Sequence, residues 1–183
     1  VADVKRRILL NKLPNANFEE DEALLSQIQK KVLQLGKKFN LIHQQILNDL
    51  TAHNIHVDRP EELTEFHLNW LKNYFHDNVL QHISPILLDE NKDYSDYIND
   101  TMTYLFVEMS DEKSHFAMLE VPTDRVSRFI ILPPEKTRRH KTIVMLDDVI
   151  LYFLNALFSN FFTFETIQGH AIKLTRDAEY NLD

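Results

Sequence analysis

The sequence predicts an α+β protein in which an N-terminal long-helix hairpin is followed by a mixed head domain with a small, largely antiparallel sheet and flanking helices. Two observations predict this class. From Phe18 to His53 the apolar residues recur at helical steps of three and four, and over residues 55–183 β-rich runs and helical runs follow one another in no strict alternation. We therefore divide the chain at residue 54, into the remainder of a helical domain and the head domain.

The longest predicted helix covers Phe18–His53. Its apolar stripe consists of Leu24, Ile28, Val32, Leu35, Phe39, Ile42, Ile46 and Leu50. At 1.5 Å per residue this helix spans roughly 50 Å, which is too long for one small domain to cover, so we expect it to need partners beyond its own hairpin. Val1–Leu10 is predicted to be the end of a helix whose start is missing, and Asn11–Asn17 to be the connecting loop. The chain is therefore expected to be a piece of a longer protein.

The head domain begins with a break at Asn54–Pro60 that includes a short strand. Helical spacing then resumes at Glu61 and ends at Pro85. Two β-rich segments, Met102–Met109 and His115–Val121, are predicted to form a hairpin. Further short strands are predicted at Phe129–Leu132, Thr142–Leu146 and Ala171–Thr175.

Asp147 and Asp148 stand just before the apolar run Val149–Phe158. Paired carboxylates are able to do acid–base work or to hold Mg²⁺. A position directly before a helical run instead favours capping of that helix by one of the two side chains. We therefore predict a structural role for this pair.

The composition excludes several classes of protein. A formal net charge of −8 argues against a generic nucleic-acid-binding protein, and the absence of cysteine excludes disulfides, thiolate nucleophiles and sulfur-ligated metals. The two glycines, Gly36 and Gly169, are too few for a glycine-rich phosphate loop. Because there is no apolar run of about 18 residues and no cleavable leader, we expect a soluble, cytoplasmic protein without a membrane-spanning segment.

The most informative local feature is a basic segment that runs from Arg125 to Lys141. Six basic residues stand there against Glu135 alone, which gives the segment a net charge of +5 and leaves −13 for the rest of the chain. Arginine makes bidentate contacts to phosphate oxygens, so this segment is predicted to contact a polyanion. The candidate contacts are Arg125, Arg128, Arg138, Arg139 and Lys141. The alternative is a solvated loop that is paired with the acidic remainder of the protein.

A second basic group lies on the long helix. It consists of Lys30, Lys31, Lys37 and Lys38, which recur at seven-residue spacing. This group supports polyanion contact, although a charged stripe on a helix is usually a solvated face.

The nine histidines of the chain raise the question of a metal site or a nucleophile. The nearest pairs are His53 with His56 and His76 with His82. Neither pair lies in an H-E-x-x-H pattern or beside a carboxylate at ligand spacing. We therefore predict no metal site and assign no catalytic residue to this chain.

An aromatic cluster follows the last predicted helix. It contains Phe158, Phe161, Phe162 and Phe164. Such a cluster can stack a ligand, but it is more typical of a core or an interface between subunits. We expect the head domain to help the protein to self-associate.

Several stretches resemble the bacterial polyphosphate kinase family, in that family's order and approximate spacing. They are residues 1–7 (VADVKRR), 69–75 (NWLKNYF), 81–87 (QHISPIL), 104–108 (YLFVE), 119–124 (LEVPTD), 128–134 (RFIILPP) and 175–180 (TRDAEY). The resemblance covers essentially the whole chain, although no single stretch is diagnostic.

The resemblance implies reversible transfer of the γ-phosphate of ATP to inorganic polyphosphate, through a phosphohistidine and with Mg²⁺. It also implies that the catalytic groups lie outside this chain. The family's nucleotide-pocket Asn should precede Val1. Its phosphohistidine, the partner His, the Mg²⁺ and the phosphate-binding arginines should follow Asp183, in two domains that resemble phospholipase D.

The resemblance further implies what this part does in the full enzyme. The fragment alone is expected to be inactive and to bind no cofactor. In the full enzyme it would wall the path of ATP and polyphosphate and support a homodimer or a higher homo-oligomer, without nucleic acid as a partner. The alternatives are a non-catalytic dimerisation scaffold and an independent polyanion-binding domain.

Overall fold

The computed structural model describes residues 18–137 and 139–174. The predicted helix at residues 1–10, the loop at residues 11–17 and Arg138 lie outside the described residues. The described residues divide into two compact units, which we call the helical unit (residues 18–49) and the sheet unit (residues 50–174). The predicted α+β class is confirmed.

The described chain contains four α-helices and seven strands. The helices are α1 (Phe18–Ala52), α2 (Glu65–Tyr74), α3 (Leu146–Tyr152) and α4 (Leu154–Phe158). The strands are β1 (Ile55–Val57), β2 (Ile86–Leu88), β3 (Tyr104–Ser110), β4 (Ser114–Glu120), β5 (Phe129–Ile131), β6 (Lys141–Met145) and β7 (Thr166–Ile172). Short 3₁₀ turns lie at Pro60–Glu62, Leu80–His82 and Ser95–Tyr97, and a π-helical turn lies at Phe75–Val79.

Helix α1 confirms the long helix that the apolar stripe predicts. It has 35 residues. Much of the stripe is exposed to solvent, including Leu24, Val32, Leu35, Phe39, Ile42 and Ile46. Contacts one turn apart contribute within the helix, since the rings of Phe39 and His43 stack with their centroids 6.2 Å apart.

The chain leaves α1 through a tight turn. His53 N donates to Leu50 O at 2.9 Å and Asn54 N donates to Thr51 O at 3.0 Å. Asn54 has a φ of 59°, in the left-handed region that Asn adopts more readily than most other residues. Its carbonyl accepts a hydrogen bond from Lys141 N at 2.8 Å. The turn thus delivers β1 directly onto the edge of β6.

Strands β1, β6 and β5 form a three-stranded sheet in that order. β1 runs parallel to β6, with Ile55 opposite Lys141 and His56 opposite Thr142, and β5 runs antiparallel to β6. Thr142 and Val144 alternate with more exposed residues, so one face of this sheet points toward the core. The three strands confirm the short strand predicted within Asn54–Pro60 and the two predicted beside the basic segment.

Strands β2, β4, β3 and β7 form a four-stranded antiparallel sheet in that order. Its centre is the predicted hairpin, which is confirmed. β2 follows Pro85 and was not predicted. β7 begins at Thr166, five positions before the predicted start at Ala171. The prediction missed this start because the first residues of β7 carry no apolar alternation that marks a strand.

The core of the sheet unit lies on one face of the four-stranded sheet. Leu105, Val107 and Met109 alternate along β3 and are fully buried. They belong to one cluster with buried residues of α2, the π-helical turn, α3 and α4. Gly169 marks the closest approach to these helices, because a Cβ there would lie 2.5 Å from Leu151 Cδ2 and 2.7 Å from Leu154 Cδ1.

The predicted caps and the predicted single helix after β6 are wrong. α3 begins at Leu146, its N-cap residue is Met145, and no side chain caps it. Asp147 and Asp148 instead lie in the first turn, where carboxylates interact favourably with the helix dipole. The run Val149–Phe158 is broken at Phe153 (φ −94°, ψ 10°), which separates α3 from α4.

None of the described helices combines the length and the apolar character that crossing a lipid bilayer requires.

Candidate functional site

The structure separates the predicted polyanion contacts into two groups. Lys141 begins β6 and Arg139 stands two residues before it. Arg128 lies at the opposite end of β6, where its carbonyl accepts a hydrogen bond from Leu146 N at 2.9 Å. At about 3.4 Å per residue, the two ends of β6, Lys141 and Met145, are about 14 Å apart. Arg138 lies outside the described residues, and the remaining candidates do not converge on one point.

The candidates also differ in their charge environment. Arg125 Nε lies 3.0 Å from Asp124 Oδ2, so its charge is offset by a neighbour in sequence. Arg128, Arg139 and Lys141 are exposed and form no ion pair with residues 18–137 or 139–174. The Arg139–Lys141 end of β6 is therefore the part of the basic segment that presents two close, exposed cations.

The acidic residue of the basic segment, Glu135, is turned toward α2. Its Oε2 accepts a hydrogen bond from the Thr64 hydroxyl at 3.1 Å and lies 3.9 Å from His67 Nδ1. His67 Nε2 lies 3.0 Å from Pro133 O. Because a carbonyl only accepts, Nε2 carries the hydrogen. These contacts anchor the proline-containing loop to the start of α2, while Lys136 in the same loop stays exposed.

A second cluster lies where β1 meets β6. The rings of His56 and His140 stack with centroids 3.9 Å apart and planes 22° apart. Asp58 joins them, and one ligand atom from each of the three half-buried side chains lies within 4.8 Å of the others. The Asp58 backbone is held by a 3.0 Å hydrogen bond from its N to Ile143 O. The cluster therefore brings together two imidazoles and one carboxylate.

This cluster was not predicted from the sequence. There His56 was paired with His53 because they are neighbours in sequence, whereas in the structure the ring of His56 stacks on that of His140 across the β1–β6 pair. No local pattern encodes that register. The closest signal was the short strand predicted within Asn54–Pro60.

A polar cavity of about 470 Å³ lies beside α3 and β7. It is lined by Arg59, Glu61, Asp148, Leu151, Gly169, His170 and Ala171. Burial raises the pKa of Asp148, the charge of Asp147 raises this pKa further, and Arg59 opposes both effects. Because Glu61 and Asp148 offset Arg59 when ionised, the cavity does not suit a polyanion.

The predicted aromatic cluster divides between core and surface. Phe158 is buried, whereas Phe161 is 77% exposed. An apolar cavity of about 410 Å³ lies at this surface and is lined by Pro85, Leu87, Phe158, Phe161 and Phe162. Since Leu87 is 51% exposed as well, the cavity opens on an apolar patch, which we call the Phe161 patch.

Comparison with known proteins gives consistent results. The profile of a family described as the polyphosphate kinase middle domain matches residues 67–183. The chain is 38% identical over 182 residues to a polyphosphate kinase of Vibrio cholerae serotype O1 and 35% identical over 182 residues to that of Escherichia coli K12. Each alignment covers 99% of this chain and 26% of the relative.

A solved structure is also similar. The crystal structure of polyphosphate kinase from Porphyromonas gingivalis matches 94% of this chain and 27% of that chain, with a TM-score of 0.73 and 25% identity. This chain thus spans about a quarter of the length of the proteins that it matches.

Proposed function

Because this chain belongs to the polyphosphate kinase family, we propose that it is one part of a longer enzyme that reversibly transfers the γ-phosphate of ATP to inorganic polyphosphate. The match of the family profile to residues 67–183 carries this proposal. We call the longer protein the parent enzyme. In it, the transfer through a phosphohistidine with Mg²⁺ is assigned to parts outside residues 1–183.

The cluster of His56, Asp58 and His140 does not fit a Mg²⁺–ATP site. Mg²⁺ prefers oxygen ligands in octahedral geometry, and the convergent cluster at His56, Asp58 and His140 supplies two ring nitrogens. Gly36 lies inside α1 and Gly169 lies inside β7, so neither belongs to a phosphate-binding loop. We therefore assign phosphoryl transfer to the parts of the parent enzyme that lie outside residues 1–183.

The first test concerns this division of labour. The purified 183-residue chain, supplied with ATP, Mg²⁺ and a polyphosphate primer, is expected to release no ADP above a blank and to form no acid-labile phosphohistidine. The parent enzyme should do both. Activity of the chain alone would place the catalytic groups inside it, and an inactive parent would favour the non-catalytic dimerisation scaffold.

The role of this part is to wall the polyphosphate path, and the exposed pair Arg139 and Lys141 is the best-supported contact. Both side chains are exposed without an ion pair within the described chain, while Glu135 is held by Thr64. Exposed cations near a polyanion act mainly through long-range attraction, which salt screens. Arg125, which is offset by Asp124, is expected to contribute less.

The second test compares two variants of the parent enzyme. Replacing Arg139 and Lys141 by Ala should raise the apparent KM for polyphosphate more than that for ATP. High salt should reduce this difference between the two KM increases. The control is Arg125→Ala, which also removes a basic residue of the segment but one that is already offset. Equal changes in the KM values for polyphosphate and ATP would favour the alternative, a solvated loop that does not contact polyphosphate.

We assign self-association of the parent enzyme to the Phe161 patch. Large exposed apolar patches usually mark interfaces, and closed two-fold dimers are the commonest assembly. The expected role of the head domain in homodimers of the family supports the same surface.

The third test is sedimentation equilibrium of the parent enzyme. Phe161→Asp and Leu87→Asp should shift a dimer toward monomer without unfolding it. The control is Ile131→Asp, since Ile131 is an equally apolar and exposed residue on β5. A parent that is monomeric at tens of micromolar, or a dimer that dissociates only with the control, contradicts the assignment.

A further inference from the structure

We propose that His56, Asp58 and His140 form a binding site for a divalent transition-metal ion, with Zn²⁺ as the reference ion. One ligand atom from each side chain already lies within 4.8 Å of the other two. Two imidazoles with one carboxylate are a ligand set that such ions commonly use, with water in the remaining position.

The pairing of β1 with β6 brings the chain segments that carry these three residues together. His56 lies opposite Thr142 in the parallel pair of β1 and β6, and side chains that are opposite each other in register share a face. His140 directly precedes β6 and Asp58 directly follows β1, so both flank this strand pair. The face that His56 shares with Thr142 is the core side of the three-stranded sheet, where Thr142 is buried.

The ligand types select the ion. Imidazole nitrogen suits Zn²⁺, Co²⁺ or Ni²⁺, whereas Mg²⁺ keeps oxygen ligands and several waters. The site is therefore expected to discriminate against Mg²⁺, even at concentrations that saturate the parent enzyme's own reaction.

Binding requires a small local movement. Zn²⁺ lies about 2.1 Å from each nitrogen ligand, so the ligand atoms have to close to about 3.4 Å from one another. The two rings stack with planes 22° apart, so lone pairs that lie in these planes do not meet at one point between the rings. Rotation of one ring about its Cβ–Cγ bond, which is a soft torsion, lets both lone pairs converge.

A buried hydroxyl lies beside the cluster. Thr142 is 3% exposed, and its Oγ1 has no hydrogen-bond partner within the described chain. Thr142 is the register partner of His56, so its side chain shares the face of the cluster. A metal-bound water gives this hydroxyl a partner, as the groups that surround metal ligands usually have.

A metal ion bound at this site would hold β1 and β6 together. β1 has only three residues, and the parallel pairing with β6 holds it in the sheet. A metal that bridges His56 and Asp58 to His140 crosslinks the two strands and stabilises the folded state through binding. This effect is independent of phosphoryl transfer and is measurable in the chain by itself.

The test is a titration of the 183-residue chain with Zn²⁺, and separately with Mg²⁺, by isothermal titration calorimetry. We expect one Zn²⁺ per chain at this site and no binding of Mg²⁺ at the same concentrations. Co²⁺ should give visible d–d absorption, which reports nitrogen ligation directly. Loss of a residue that only orients ligands costs about 10–100-fold in affinity, so His140→Gln and Asp58→Asn should each weaken Zn²⁺ binding at least about 100-fold.

The matched control is the double variant His76→Gln and His82→Gln, which removes two exposed histidines elsewhere. It should bind Zn²⁺ like the unaltered chain. If His140→Gln does not fold by circular dichroism, Asp58→Asn decides the question. The proposal is overturned if the unaltered chain binds no Zn²⁺, or if a folded His140→Gln or Asp58→Asn variant binds it with unchanged affinity.

Discussion

The helical unit and the sheet unit use similar apolar residues with opposite results. In α1, Leu35 is 55% exposed, whereas Leu119 in β4 is fully buried. Leu35 belongs to the apolar stripe of α1 and Leu119 to the apolar run of β4, so an apolar pattern alone does not decide burial. The difference teaches that periodicity specifies which face of an element is apolar, while burial depends on a partner surface that the pattern does not name.

The largest expected effect follows from this contrast. Leu119→Ala should lower the free energy of unfolding of the sheet unit by about 2–5 kcal/mol, because it leaves a cavity in a packed core. Leu35→Ala should change the stability by no more than about 0.5 kcal/mol, since Leu35 is exposed and alanine is a good helix former. Urea unfolding followed by circular dichroism measures both. A cost above about 2 kcal/mol for Leu35→Ala would mean that α1 is covered in solution.

The two glycines give the next effect, and here the two units should respond with opposite sign. Gly169→Ala places a Cβ within 2.7 Å of Leu151 and Leu154, and overpacking of this kind costs about 1–3 kcal/mol. At Gly36 no atom lies within 4 Å of the added Cβ, so Gly36→Ala should stabilise α1 by about 0.5–1 kcal/mol. Thermal melts of the two variants check the signs. A stabilising Gly169→Ala would show that the leucines move aside at no cost.

The smallest effect tests electrostatics in the sheet unit. Burial first, and the charge of Asp147 second, raise the pKa of Asp148 above its ordinary value of 3.8. The folded state therefore holds this proton more tightly than the unfolded state. The protonated carboxyl of Asp148 therefore contributes to the free energy of unfolding below about pH 4, and this contribution is lost as the pH rises through the raised pKa.

Asp148→Asn should accordingly stabilise the protein at pH 7, by less than about 0.5 kcal/mol because the carboxyl is only half-buried. The gain should shrink as the pH falls toward about 4. Melting temperatures across this range measure it, with Glu112→Gln in the exposed β3–β4 turn as the control. A gain that does not change with pH would point to packing rather than charge.

The fold was predictable where a local pattern was strong. α1 and the β3–β4 hairpin followed from their periods, since Leu105, Val107 and Met109 alternate as a half-buried strand requires. β2 was missed because three residues after a proline carry too little pattern. The caps at Asp147 and Asp148 were misassigned because residue type cannot separate an N-cap position from a first helical turn.

The candidate sites were predictable only in part. The basic segment was visible in the composition, but its division into two ends depends on the antiparallel register of β5 and β6. The pairing of Arg125 with Asp124 was a matter of side-chain geometry that charge counting does not capture. The cluster of His56, Asp58 and His140 depends on a parallel register between strands far apart in the chain, which no local pattern reports.

The edge strand β5 has a consequence for how the protein behaves at high concentration. Within the described chain it pairs with β6 alone, and it exposes Phe129 and Ile131. A flat, apolar edge is a template for edge-to-edge aggregation, which charged residues and prolines at its ends resist. Arg128 precedes β5 and Pro133 follows it closely, so both residues oppose edge-to-edge aggregation of this strand. Replacing Arg128 by a neutral residue should therefore promote pairing of β5 edges between molecules. A loss of activity in such a variant has to be distinguished from a loss of soluble, non-aggregated protein.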